Sequence, residues 1–357
     1  MSIPSGKVTM KEIAERCGVS KSLVSRILNQ DPSLRTTPQT RERVLTAVEA
    51  AGYVRDHHAQ ALAHVRTAAV PPARRIGYVT FSSRSHIGHP YFSHIIDAVV
   101  DEATRCGVQV PFRVTVEEFR RRVEELTAEY AADPLDGLIL LGAVKDDCLT
   151  AAIHRIAPRV VSVDGQFDRS SDYVGVDTAR SILLGLDHLL GLGYTDIGVL
   201  CGSDDRRLTA CEERMHECGL TLDPAWIIDC GYSVDIARER VAKKLRSCPP
   251  PRAIVACNDE MAIGCIKALK DAGLRIPQDV AVTGHDDISL AAYVDVPLTT
   301  VRVYKKEIGR LAVKILLDRI ETGRRNAVQL EVPGKLIKRA SCGWKLAGAE
   351  NDRRNDP

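Results

Sequence analysis

Between Ile76 and Val282, short β-branched runs alternate with amphipathic stretches, and this alternation restricts the fold more than any other feature of the chain. The runs occupy residues 76–80, 108–110, 138–141, 160–163, 197–200, 254–256 and 280–282, and a helix is predicted over about 94–106. Repeated strand–helix units imply parallel sheets covered by helices. Ligands on such sheets gather where the carboxyl ends of the strands open, so the residues after each run come first. They are Asp164, then Asn258 and Asp259, then His285, Asp286 and Asp287, with Arg207 expected in the loop before the helix that follows Leu200. An arginine, two carboxylates and an amide at the mouth of one cleft suit vicinal hydroxyls or a heterocycle edge. Asp259 taken alone reads better as a helix cap.

The amino-terminal segment has a different rhythm. Met10 to Cys17 and Ser20 to Asn29 are two short helical stretches separated by Gly18-Val19. Thr9 with Glu12 and then Ser20 supply caps, and Gly18 supplies the turn. Ile13, Val19, Val24 and Ile27 or Leu28 form the inner face, and Ala14 is small enough for a close helix crossing. The outer face of the second helix carries Lys21, Ser22 and Arg26, where a recognition helix meets base edges. Arg26 suits bidentate hydrogen bonds to guanine, with Lys21 or Ser22 on neighbouring bases. Ser20, Ser25 and Asn29 suit phosphate or cap contacts, which position without specifying. A third helix is predicted from Thr37 and Pro38 through Val44, Leu45 and Val48, ending at Gly52.

Charge follows this division. Residues 1–75 hold 12 Lys+Arg against 6 Asp+Glu, a net +6, while the remainder holds 37 against 41, a net −4. A polyanion would bind the basic end. The 11 cysteines include no C-x-x-C, and the closest pair, Cys211 and Cys218, reads as core packing rather than zinc or redox chemistry. No apolar stretch approaches the roughly 20 residues of a membrane helix, and the start lacks a secretory apolar core, so a cytoplasmic protein is expected. Gly191-x-Gly193 precedes its strand instead of linking strand to helix, so it cannot cradle a phosphate as a dinucleotide fingerprint does. Phosphate-loop, nucleophile-elbow and H-E-x-x-H motifs are also missing. Neither an enzyme, a cofactor nor a metal is expected.

Val8 to Ala14, Gly18-Val19-Ser20, Val24-Ser25-Arg26, Asn29, Thr40-Arg41 and Gly52-Tyr53 together resemble the lactose-repressor (LacI/GalR) family. The resemblance continues through residues 178–193, 258–264, 273–280 and 297–301. It implies a multidomain chain: an all-α helix-turn-helix head over 1–55, a hinge helix and linker over 56–73, an α/β two-lobed periplasmic-binding-protein-like core over 74–342, and a disordered tail over 343–357. Lobe 1 is expected over about 74–170 plus 300–325, and lobe 2 over about 171–299 plus 326–342. In the family the hinge folds in the minor groove of operator DNA, which puts Arg55, His57 and Ala59 near the duplex and Leu62 as a wedge in the central base step.

The same resemblance places Asp164, Arg207, Asn258 and Asp286 where relatives hydrogen-bond a sugar or purine, and Tyr91, Phe92 and Tyr232 where aromatic rings sandwich it. Three features depart from the family. Arg55-Asp56-His57-His58 replaces the usual hinge start, Ala210 replaces a glycine, and Val303 replaces a glutamine, with Tyr304 as a replacement wall. The expected function is a sequence-specific transcriptional regulator, a repressor by its resemblance, that binds a palindromic double-stranded DNA operator as a homodimer or tetramer. A small-molecule effector, whether sugar, polyol, nucleoside or purine, controls it. The competing reading is a cytosolic small-molecule-binding protein or enzyme on the same core.

Overall fold

The alternating pattern is realised as two six-stranded sheets in a computed structural model, which describes residues 10–28, 34–50, 74–80, 90–143, 146–202 and 206–343. Contacts divide the chain into two units, 1–72 and 73–357. In the first unit lie α1 (Met10–Cys17), α2 (Lys21–Leu28) and α3 (Pro38–Ala50). Gly18 adopts φ +60°, which reverses the chain and lets the Val19 amide donate to the Ala14 carbonyl at 3.0 Å. The Leu23 amide donates to Ser20 Oγ at 3.2 Å, so Ser20 caps α2, and Thr37 caps α3 through the Thr40 amide at 3.3 Å. Ile13, Ala14, Cys17, Val24, Ile27 and Val44 are buried together. Leu45, expected inside, is exposed because it follows Val44 directly and points away from the face that Val44 buries. Thr9, Gly52, the hinge and residues 344–357 lie outside the described residues.

The second unit carries both sheets. The first sheet comprises β1 (Arg75–Thr80), β2 (Gln109–Thr115), β3 (Gly137–Leu141), β4 (Val160–Val163), β5 (Asp172–Gly175) and β11 (Gln329–Glu331), in the order β11-β5-β4-β3-β1-β2. The second comprises β6 (Ile197–Cys201), β7 (Ile227–Asp229), β8 (Ala253–Ala256), β9 (Ala281–Asp286), β10 (Thr299–Arg302) and β12 (Lys335–Ile337), in the order β12-β10-β9-β8-β6-β7. All pairings are parallel except β10 with β12. β2 runs on past Pro111 because it is an edge strand, where a missing N–H interrupts no ladder.

Three segments cross between the sheets, at 176–177, 303–304 and 332–334. These positions correct the expected lobe boundaries. β5 pairs with β4 and belongs to the first sheet, β10 pairs with β9 and belongs to the second, and β11 returns to the first by pairing with β5. Such three- and four-residue strands are held by their neighbours' ladders and carry little apolar pattern of their own, so sequence alone misplaces them. The Lys305–Thr322 helix packs on the first lobe through Ile308, Ala312, Val313 and Leu316, while the Thr178–Gly191 helix packs on the second through Ile182, Leu186 and Leu189. Cys211 is buried in that second core, but Cys218 lies just past the end of the Arg206–Glu217 helix and is exposed, contrary to its expected packing role. Among the described residues, no helix is long and apolar enough to cross a membrane.

Candidate functional site

In the head, Arg26 is exposed in the last turn of α2, and Lys21, Ser22 and Ser25 lie on the same helix. Ser20 stands at its cap. Asn29, Arg55, His57, Ala59 and Leu62 fall outside the described residues, as does Thr9.

In the core, strand order reverses between β1 and β3 in one sheet and between β6 and β8 in the other. Loops diverge at such points and leave a crevice. Arg207 spans the second one. It lies in the first turn of the Arg206–Glu217 helix, not in the loop before it, and donates from Nη1 to the Cys257 carbonyl at 3.0 Å and from Nη2 to the Tyr232 hydroxyl at 2.8 Å. Tyr232 itself has φ +57° and lies so close over Gly202 that a Cβ there would approach the ring to 2.1 Å. The cap expected of Asp259 is supplied by Asn258. Asn258 caps the Asp259–Asp271 helix by accepting from the Met261 amide at 2.9 Å, which leaves its amide nitrogen for a ligand. Asp259 is fully buried, accepts from Thr300 Oγ1 at 2.5 Å and the Ile288 amide at 2.8 Å, and is pushed well up in pKa by that burial.

The first lobe contributes Tyr91 and Asp164. Tyr91 immediately precedes the Phe92–Arg105 helix and donates its hydroxyl to Asp164 Oδ2, while Asp164 follows β4 with φ +55°. The other oxygen, Asp164 Oδ1, is buried and accepts no hydrogen bond. Burial pushes the Asp164 carboxyl up to about 6 despite the bond from Tyr91, and the charge of Asp286 adds to the rise. Burial likewise raises Tyr91, with Asp164 and Asp286 both contributing, so the carboxylate of the second lobe faces the first. The expected pair of aromatic walls therefore splits. Tyr91 is bonded into the polar site, whereas Phe92 meets it edge-on at 5.2 Å and packs against the first lobe's core.

Asp286 ends β9 at φ +111°, and its Oδ1 bonds His285 Nδ1 at 2.9 Å. Next to it, Asp287 is clamped by Arg302 and Arg339, each at 2.6 Å, which hold its carboxyl low although burial opposes them. Sequence reasoning missed Lys305. Its buried ammonium donates to the carbonyls of Asp286 and Asp287, lies 5.7 Å from the Tyr91 ring centre, and is lowered in pKa by burial. The missed signal was a lysine at the start of a helix, where the dipole disfavours a cation. Val303 is buried in the first lobe's core, and Tyr304 is exposed rather than packed as a wall.

The matches to known proteins cover both units. Residues 9–56 match the model of the bacterial regulatory proteins of the lacI family, and residues 186–342 match the periplasmic binding protein-like domain. The chain is 31% identical over 356 residues to the HTH-type transcriptional repressor MelR of Bacillus subtilis, covering 94% of this chain and 98% of that protein. The chain belongs to the lacI family. This LacI-family regulator is also 29% identical over 343 residues to the repressor PurR of Haemophilus influenzae, covering 93% and 98% of the two chains. Among solved structures it is similar to the lac repressor dimer bound to operator and the anti-inducer ONPF, with TM-score 0.65 and 26% identity over 94% of this chain and 99% of that one. The fold also matches the CelR–cellobiose complex, with TM-score 0.68 and 24% identity over 94% and 99%.

The raised carboxyl of Asp164 carries a stability cost. An acid whose pKa is higher in the folded state contributes its full stability below the unfolded value of 3.8 and loses it as pH rises through about 6. Asp164→Asn keeps the neutral shape and an acceptor for Tyr91. It should stabilise the free protein at about pH 7.5 by roughly 2 kcal/mol, a gain that vanishes near pH 4. Thermal unfolding at the two pH values checks this, and equal gains at both would contradict it.

Proposed function

We propose that this LacI-family regulator is a cytoplasmic, non-catalytic repressor that binds a palindromic operator as a homodimer and takes a polar small-molecule effector between the lobes of its core. One observation carries the effector reading: the buried Asp164 carboxyl, with no close partner at Oδ1, stands within the field of Asp286 and Arg207 of the second lobe. A buried acceptor left unpaired costs about 1–3 kcal/mol, and a ligand hydroxyl or N–H removes that cost. Sugars, polyols, nucleosides and purines present such donors. Tyr232 and Tyr91 supply apolar faces beside them.

For the assembly, Tyr293 at 84% exposure and Leu290 at 54% lie at the short 3-10 turn Ser289–Ala292 and offer apolar side chains for a second copy to cover. For DNA, we assign base readout to Lys21, Ser22 and Arg26, positioning to Thr9, Ser20, Ser25 and Asn29, and minor-groove contact to Arg55, His57, Ala59 and Leu62. Arg26→Ala should cost roughly 1–3 kcal/mol against a site selected by the wild type and relax one operator position. Binding titrations at fixed salt against single-base variants of that site check it, and unchanged discrimination would remove Arg26 from the readout.

The effector is sought by thermal stabilisation with a panel of sugars, polyols, nucleosides and purines, because a ligand that binds only the folded state raises its stability by mass action. Stabilisation retained by the Asp286→Ala protein would rule out the cleft.

A further inference from the structure

Asp286 is the carboxylate that the second lobe presents in the cleft reading, and it touches the 303–304 crossing directly and the other two through His285 and Ser181. Lys305, directly after the 303–304 crossing, donates to the Asp286 carbonyl. His285 Nδ1 bonds Asp286 Oδ1 at 2.9 Å, and His285 Nε2 bonds Ser181 Oγ at 2.7 Å. Ser181 lies in the first turn of the Thr178–Gly191 helix, directly after the 176–177 crossing. Gly334, in the 332–334 crossing, approaches so closely that a Cβ there would meet Ser181 Oγ at 2.8 Å. The chain Ser181–His285–Asp286 thus runs from the crossings to the cleft, with Ser181 and His285 both buried.

Its polarity follows from chemistry. A carboxylate only accepts, so Nδ1–H donates to Asp286; in the tautomer that leaves Nε2 bare, that nitrogen accepts from the Ser181 hydroxyl. This is the order of groups that orients a catalytic serine, but here the serine is buried in a helix and the carboxylate is the partly buried end at the cleft, so the chain positions rather than reacts.

We propose that His285 and Ser181 are positioning residues of the effector site: they fix the Asp286 carboxylate for the effector and transmit its occupancy to the 176–177 crossing. The inference rests on the cleft reading above. A ligand donor that engages Asp286 pulls charge from His285, which strengthens or breaks the bond to Ser181 and so biases the angle between lobes.

The test begins without ligand. In full-length protein, nitrogen NMR of His285 should report a single neutral tautomer with the proton on Nδ1, and Ser181→Ala should change the Nε2 signal. A mixed or Nε2–H tautomer, or a spectrum indifferent to Ser181→Ala, overturns the chain. Cellobiose, ribose, sorbitol, adenosine and adenine are then titrated calorimetrically as probes. For any that binds, His285→Phe should weaken binding about tenfold or more, as expected for loss of a hydrogen bond to a charged group. His285→Asn, which keeps a donor near the Nδ1 position, should recover most of that loss. Ser181→Ala should weaken binding only a few-fold but abolish probe-induced hydrogen-exchange protection over residues 174–181. Wild-type affinity in His285→Phe overturns the proposal. If Arg207→Ala and Asp286→Ala also bind normally, the cleft reading fails with it; if those two lose binding, only the positioning chain fails. Should none of the five compounds bind, the NMR result alone upholds or overturns the chain.

Discussion

Asp172→Ala is expected to destabilise the core by about 3–5 kcal/mol, lowering its melting temperature by roughly 10 °C. Asp172 is fully buried at the start of β5, and no water can replace what it provides. Its two oxygens take both arms of Arg324 at 2.9 Å each, and Oδ1 also accepts from the Val328 amide at 2.7 Å. Arg319 stands 3.6 Å away. Together these bonds dock the segment that follows the Lys305–Thr322 helix, so that β11 can pair with β5. Removing the carboxylate leaves the buried Arg319 without its counter-charge and Arg324 with Asp318 as its remaining carboxylate partner, and the unpaired buried charge carries most of the penalty. Adding Arg324→Ala to Asp172→Ala should therefore cost less than the sum of the two single changes, by at least 1 kcal/mol. Urea unfolding of the four proteins measures this coupling. A loss below about 1 kcal/mol for Asp172→Ala would mean that the segment is held by β11 pairing alone.

Arg207→Ala is expected to weaken effector binding by roughly 30- to 200-fold with little change in stability. The guanidinium does two things at the crevice of the second sheet. It ties the loop after β6 to the loop after β8 through the Cys257 carbonyl, and it holds the Tyr232 hydroxyl. Its loss removes a charged donor from the cleft and releases the aromatic ring that lies against Gly202. Arg207→Lys should recover little, because an ammonium cannot reproduce the fork that reaches two acceptors at once. Calorimetry with the compound that most stabilises the wild type measures both variants. Affinity within threefold of wild type in Arg207→Ala would take Arg207 out of the site and leave it a structural tie.

Much of the architecture is legible in the sequence. The alternation from Ile76 to Val282 set two parallel sheets, because a strand covered on both faces must be apolar along its whole length. The head was legible in Gly18 and in the spacing of Ile13, Val24 and Ile27, which close-packed helices require. Asp164, Arg207, Asn258 and Asp286 were identifiable as residues that follow strands. Their partners were not: Asn258 took the cap expected of Asp259, since either residue type can cap a helix and only packing decides which side chain is sealed inside.

The sequence by itself determined the two-part organisation and the residue types at the ends of the strands, since periodicity and turn chemistry act over a few neighbouring residues. Only the tertiary structure decided where the chain crosses between lobes, which of its carboxylates stay open to a ligand, and that Ser181 meets His285 across 104 positions. Short strands such as β5, β10 and β11 are stabilised by ladders to distant segments, and a buried hydrogen bond depends on geometry that no local pattern encodes.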